Sequence, residues 1–425
     1  MKMRLVVRLA FCGLMSAWQL SAHADETRLL GSDLAGLLAY AREHNPELSA
    51  MRFDADATEQ RAQSAATLPD PVLRTELMDV TNQGTNKGTS ILPSQVGSTR
   101  YLLMQSVPWF GKRDLQRGVA EAQVAQANSQ VSATWAELSG KIKSVFAMYY
   151  FLSDSEKLTR ETLGLMGNLE QVAQTRYANG FGAQQDVIRA QVEQTDLQGE
   201  LLNLEVELHH ARVRLNALLS RPALASLTPP AQLRPLPAAA RLEYSVLEDK
   251  LRARSPQLQI ADARRNEAEK SRDLARTNRY PGFTLGVAPN QSGNAVKSWD
   301  LMVELNIPLQ QESRRSQERE AEAMLSASGA RKEALLNQML ADLSENVSAL
   351  ETARRTEALI ATRLLPQVEL TFQSAMAGYE TGKVDFATLL DAQRQILKAR
   401  QQRLKAQFET QVRLAEIERL LGEEL

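Results

Sequence analysis

Few side chains in this sequence are of a type and spacing that could do chemistry. His209-His210 sits inside a Leu-rich segment with no further ligand at metal-binding spacing, so it reads as an exposed helix face. His44 adjoins Asn45-Pro46, a helix-start signal. Met78, Met104 and Met302 fall on strand-like segments, where thioethers can attract soft cations, but packing is the simpler reading. There is no catalytic constellation and no cofactor motif, so no enzyme is expected. The remaining polar chemistry lies in one stretch carried twice. The first copy runs from Tyr177 through Gly180 and Asp186 to Gln191. The second runs from Tyr379 through Gly382, Asp385, Thr388 and Asp391 to Gln393. The copies align without a gap at a separation of 202 residues, sharing Tyr, a Gly three residues later, and a closing Ala-Gln.

Each copy lies between long Ala-, Leu-, Gln- and Glu-rich segments. Glycine inside a helical pattern costs about 1 kcal/mol against Ala and more often marks an end. Both copies therefore predict tight turns between long antiparallel helices. Before the first turn Val124, Val131, Leu138, Val145 and Leu152 recur every seven residues, on a helix that runs to about Arg176 or bends near Ser153-Asp154. After it Leu197, Leu201, Leu204, Leu208, Ala211, Leu215 and Leu218 step by alternating fours and threes, the spacing of supercoiled helices. Leu336, Leu340, Leu343, Val347 and Leu350 repeat that spacing before the second turn, with Leu364-Leu365-Pro366 expected to interrupt the helix.

The 425 residues begin with a leader: Lys2, Arg4 and Arg8, an apolar run from Leu9 to Leu20, and Ala22-His23-Ala24 as a cleavage site. The only cysteine, Cys12, lies within it, and Phe11 before it argues against lipid attachment. Removal of the leader leaves 47 basic and 51 acidic residues, a net −4, which gives no footprint for nucleic acid. No remaining stretch of about 20 apolar residues can span a membrane as a helix.

The chain duplicates. Residues 1–24 are the signal peptide, 25–220 a first repeat with a strand hairpin at 72–107 and a turn at 177–183, and 221–240 a linker holding five prolines. Residues 241–425 form a second repeat, with a hairpin at 283–307 and a turn at 379–385. In the second hairpin Phe283–Ala288 reads as strand, Pro289–Val296 as loop, and Trp299 to Ile307 as an alternating strand. Four strands with one apolar face leave two open edges, which hydrocarbon does not tolerate, so oligomers closing 8 or 12 strands are both compatible. Short soluble ribbons on a helical scaffold are the plain alternative. The fold class is mainly α with a small β part.

Leu38 to Leu48 with Asn45-Pro46, the linker position, both Tyr-x-x-Gly turns, and the trailing Asp186 and Leu389-Leu390-Asp391-Ala392 together resemble the TolC family of outer-membrane efflux proteins. The resemblance spans nearly the whole mature chain. It implies a homotrimer in outer-membrane lipid, with a 12-stranded barrel and a long periplasmic coiled-coil barrel. A periplasmic adaptor and an inner-membrane pump, most readily of the RND type, would be its partners. Gln105 to Arg113 is similar to the heavy-metal branch, the cobalt-zinc-cadmium and copper-silver exporters. By the same resemblance Asp391 narrows the pore, Asp186 and Tyr379 form a closing pair, and Thr388 stands where relatives carry a second pore carboxylate. Val384 occupies the position of a family arginine. Tyr177, Gly180, Gly382 and Asp385 would belong to the tip that docks the adaptor. Asp186 as a helix cap and Asp391 on a solvated face are the alternatives. Type I protein secretion and a scaffold without a pore remain alternative functions.

The leader predicts cleavage after Ala24 and an unmodified N-terminus at Asp25. Mass spectrometry of outer-membrane material should find that mass; a retained leader or an acyl chain on Cys12 would refute it.

Overall fold

The computed structural model describes residues 30–82 and 88–425; the leader, with Cys12 and its cleavage site, lies outside the described residues. Nine helices are described: α1 Leu34–His44, α2 Pro46–Ala65, α3 Lys112–Ala178, α4 Gln184–Leu218, α5 Tyr244–Arg254, α6 Pro256–Thr277, α7 Gln311–Leu359, α8 Leu365–Glu380 and α9 Phe386–Leu421. Four strands accompany them: β1 Val72–Met78, β2 Ser98–Val107, β3 Gly282–Ser292 and β4 Ala295–Asn306. Contacts divide the chain into two compact units, and each takes segments from both sequence repeats.

One unit comprises Ala50–Ala133 and Arg254–Met339 and holds the sheet. Its strands lie in the order β1-β2-β3-β4, every neighbour antiparallel, so the two hairpins are stitched together by β2 against β3. The outer edges of β1 and β4 have no partner strand among the described residues. Period-2 alternation places Leu73, Leu103, Val287 and Leu301 in one cross-strand row. All four are exposed, Leu301 by 80%, as are Leu285, Val303 and Leu305 on the same face. On the other face Arg100 lies between Glu76 and Asp300 at 3.7 and 3.5 Å, beside a small cluster of Leu102, Met104, Ala288 and Met302. The methionines of β2 and β4 thus pack.

The second hairpin departs from expectation. Pro289 does not end β3; it pairs with Trp299, and the strands run on to Ser292 and Ala295. The cost of the missing N–H falls on the other side: the β2–β3 register skips Ala288 and Pro289 between Val287 and Asn290. Gly293, at φ +65°, opens the two-residue turn, the position that a type II′ hairpin reserves for glycine.

The other unit gathers the coiled-coil segments. Asp33 caps α1 by accepting from the Ala35 and Gly36 amides, and Asn45 caps α2 by accepting from Leu48 while donating to the Leu218 carbonyl at 3.0 Å. Leu37, Leu38 and Ala41 of α1 pack on Leu138, Ile142, Phe146 and Leu152 of α3 and on Leu204, Leu208, Ala211 and Leu215 of α4, the seam residues of the sequence. Helix α3 is continuous through Ser153-Asp154. Leu364-Leu365-Pro366 does not break its helix either. Residues Ile360–Leu364 form a π-helical turn in which the Leu365 amide reaches back to Ile360, and Pro366 enters at the first turn of α8, where its missing N–H is tolerated.

Arg234 of the Pro-rich segment is fixed by charge. Its guanidinium meets both Glu418 oxygens at 2.9 and 2.7 Å, and Lys143, only 4% exposed, meets the same carboxylate at 2.9 Å and Glu424 at 3.2 Å. Gln411 completes the clamp, accepting from Arg234 Nε at 3.1 Å and donating to its carbonyl at 2.9 Å. Removing one partner of a buried ion cluster typically costs about 3–5 kcal/mol, because the others stay desolvated and unpaired. Glu418→Ala should therefore lower the thermal midpoint of the purified protein sharply, whereas Lys143→Met with Glu418→Leu should recover much of the loss. Equal midpoints for wild type and Glu418→Ala would show that the cluster carries no stability.

Candidate gate at the paired helical turns

The Tyr-x-x-Gly spacing has a backbone cause. At the end of α3 the Phe181 amide donates to the Arg176 carbonyl at 2.8 Å and the Gly180 amide to the Tyr177 carbonyl at 3.0 Å. At the end of α8 Lys383 donates to Gly378 at 2.8 Å and Gly382 to Tyr379 at 3.0 Å. This is the Schellman arrangement, which needs a left-handed residue three positions after the Tyr. Gly180 and Gly382 supply it at φ +75° and +73°. Each turn reverses the chain within a few residues, into α4 and α9.

The two turns then diverge. Tyr379 is 3% exposed and packs edge-on against Phe386 at 5.4 Å, in a cluster with Met166, Leu169, Ala190 and Leu389. Tyr177 is exposed, and Phe181 beside it is 77% exposed. The Tyr379 hydroxyl is buried and makes no hydrogen bond among the described residues. Burial pushes its pKa up, the Asp186 carboxylate nearby adds to that, and the Arg176 guanidinium opposes it. Asp186 is thus an electrostatic neighbour of Tyr379, with no direct bond between them. Nor does it cap its helix: it is the third residue of α4, and the cap position is Ala183, which offers no side-chain bond.

Asp385 is the capping carboxylate of the second turn. It accepts from the Thr388 amide at 2.9 Å and from the Thr388 hydroxyl at 2.6 Å, and these bonds hold its carboxyl below the usual range. Thr388 is therefore tied to its own helix start. One turn further along, Asp391 is 69% exposed and stands 3.9 Å from Arg394. That arginine is chiefly committed to Glu193 of α4, at 2.5 and 3.0 Å, which raises its pKa. The sequence-predicted residues Tyr379, Asp385, Thr388 and Asp391 thus fall within one turn and its following helix, with Asp186 close by, while Tyr177 lies apart on the surface.

Two participants escaped the sequence reading. The pair Glu193–Arg394 joins helices 201 residues apart and leaves no local signature. Arg176 precedes the first Tyr; its only mark is that the aligned residue of the second copy is Gly378, where a Cβ would meet Val384 Cγ2 at 2.6 Å. No helix among the described residues is long and apolar enough to cross a membrane.

The outer membrane efflux protein family model matches residues 37–221 and 247–423, most of the chain. The cobalt-zinc-cadmium resistance protein CzcC of Cupriavidus metallidurans is 25% identical over 398 residues, covering 92% of this chain and 90% of that protein. Among solved structures, the outer membrane protein VceC of Vibrio cholerae superposes with a TM-score of 0.77 at 17% identity, over 92% of this chain and 96% of that one. CusC, described as forming a transmembrane channel, gives 0.76 at 16%, over 92% of each chain. With its apolar-faced four-stranded sheet, paired helical hairpins and family match over both repeats, the chain belongs to the outer membrane efflux protein family.

Proposed function

We propose that three copies of this chain close a 12-stranded barrel and serve as the exit channel of a tripartite efflux system for small solutes, in the first place heavy-metal cations. The observation that carries the reading is the sheet with two unpartnered edges and one exposed apolar face. In hydrocarbon every unpaired backbone group costs several kcal/mol, so an edge must meet another edge. A single copy supplies 4 strands, too few for the barrels known from single chains, which begin at about 8. Self-association of β4 of one copy with β1 of the next removes every edge. The choice of three rests on the family resemblance. A metal cargo is favoured by the similarity to a cobalt-zinc-cadmium resistance protein. An inner-membrane pump and a periplasmic adaptor would be the partners, with the exposed Tyr177 and Phe181 turn available for contact with the adaptor.

In this reading the second turn lines the narrow end of the pore. Asp391 is solvent-facing and comes once per chain, so a closed assembly presents three carboxylates around the axis, each partly offset by Arg394. A ring of ionised carboxylates favours cations. The Tyr379 hydroxyl is buried without an acceptor among the described residues and the Asp186 carboxylate lies near, so in the closed assembly a small shift of the turns brings the two into a hydrogen bond that links the helices around the ring.

Two measurements test the proposal. Light scattering in mild detergent should give three chains per particle; a stable monodisperse monomer would be fatal to a closed barrel. In planar bilayers the wild type should conduct weakly with cation preference, and Asp391→Ala should reduce that preference by several-fold at low salt, less at high salt, as screening requires. Unchanged ion selectivity in Asp391→Ala would place that residue outside the pore.

A further inference from the structure

The aligned position of the two turns holds Arg176 in one copy and Gly378 in the other, and the arginine does not stay on its own turn. Its Nη1 donates to the Glu380 carbonyl of the second turn at 2.7 Å, and its Nη2 donates to the Phe181 carbonyl of the first at 3.2 Å. The guanidinium carbon also lies 4.9 Å from the centre of the Tyr379 ring. Both acceptors sit at helix C-terminal turns, where carbonyls lack intrahelical partners and the helix dipoles concentrate negative potential. A planar fork with several donors and a stacking face suits this double role, and an ammonium does not. A Cβ added at Gly382 would stand 3.7 Å from Nη2, an ordinary van der Waals contact, so the guanidinium packs closely against the second turn. Arg176 Nε is buried and makes no hydrogen bond among the described residues, so the fork's bonds are those of Nη1 and Nη2.

We infer that Arg176 is the clasp that fixes the two helical turns of one protomer to each other. Its effect on conduction rests on the reading of this end of the molecule as the gate; its effect on the distance between the turns does not. Releasing the clasp frees two carbonyls to water and uncovers Tyr379, so the second turn can move away from the first without breaking either helix.

The test uses the full-length protein carrying Asn179→Cys and Lys383→Cys, both exposed positions, with spin labels; the native sequence has only Cys12, in the leader. Diluting labelled into unlabelled chains confines the dipolar signal to one protomer. With Arg176 the distance distribution should be narrow. Arg176→Ala should lengthen and broaden it, raising the separated population by roughly fivefold or more for the loss of two charge-assisted bonds and a cation–π contact. Arg176→Lys, which keeps length and charge and is the variant least prone to misfold, should fall between them. An unchanged distribution in both variants, with normal membrane insertion, overturns the clasp, whatever the conductance does. A widened distribution with unchanged resting conductance upholds the clasp and removes the gate from this end of the molecule. Widening together with raised conductance upholds both.

Discussion

Backbone amides and carbonyls cannot be left unpaired in hydrocarbon, and this constraint governs the rest of the molecule. Four strands satisfy it along three internal seams and leave two rows of unpaired groups. The outward rows of Leu73, Leu103, Val287 and Leu301 make water an equally poor environment for that face. Membrane insertion and self-association are therefore coupled for this sequence: the apolar face asks for lipid, and lipid asks for closed edges. The helices show the same economy of backbone pairing. The π-turn at Ile360–Leu364 lets a proline enter the coiled-coil segment while Leu365 still finds an acceptor. The skipped register at Pro289 lets a proline sit in an inner strand while the β3–β4 ladder continues.

Duplication supplied two equivalent turns, and the side chains have since divided the labour. Both keep the left-handed glycine, because without it the chain cannot turn where it does. Beyond that they differ. In the second copy the residue four before the left-handed glycine is Gly378, which admits Val384. Tyr379 above it is buried beneath Arg176, and Asp385 caps the next helix. In the first copy that residue is Arg176, the tyrosine is exposed, and the following helix begins at Ala183 with no side-chain cap. One turn is committed to internal contacts and the other presents an aromatic surface.

The extent to which this was legible in the sequence follows the range of each interaction. Helical seams, strand alternation and the turn glycines are local patterns, and they lie where Leu204, Leu208, Ala211 and Leu215 or Gly180 and Gly382 indicated. Proline misled twice, because its effect depends on the neighbours: Pro289 was read as the end of a strand, yet only one of its two ladders is lost. Asp186 offered itself as a cap by residue type, but the cap belongs to position 183, and in the second copy to Asp385. Pairs such as Glu193 with Arg394, or Arg234 with Glu418, join residues roughly two hundred positions apart, and charged residues are common enough that no spacing betrays them.

Magnitudes separate the fixed parts of the helical unit from those that can move. At Glu418, Lys143 and Arg234 meet one desolvated carboxylate, and breaking such a cluster costs several kcal/mol because no solvent replaces the lost partner. That cost pins the Pro-rich segment and the end of α9 in place. Asp391 and Arg394 are both more than half exposed, where an ion pair contributes about 0–1 kcal/mol and salt weakens it further. Arg176 lies between these extremes: half-buried, bonded to two carbonyls rather than to a carboxylate, and stacked on a ring whose hydroxyl has no acceptor among the described residues. Links of that size can be opened by a partner that offers comparable contacts, whereas the Glu418 cluster cannot. The contacts between the turns are thus the weaker links of the helical unit, and the buried cluster at Glu418 is the stronger one.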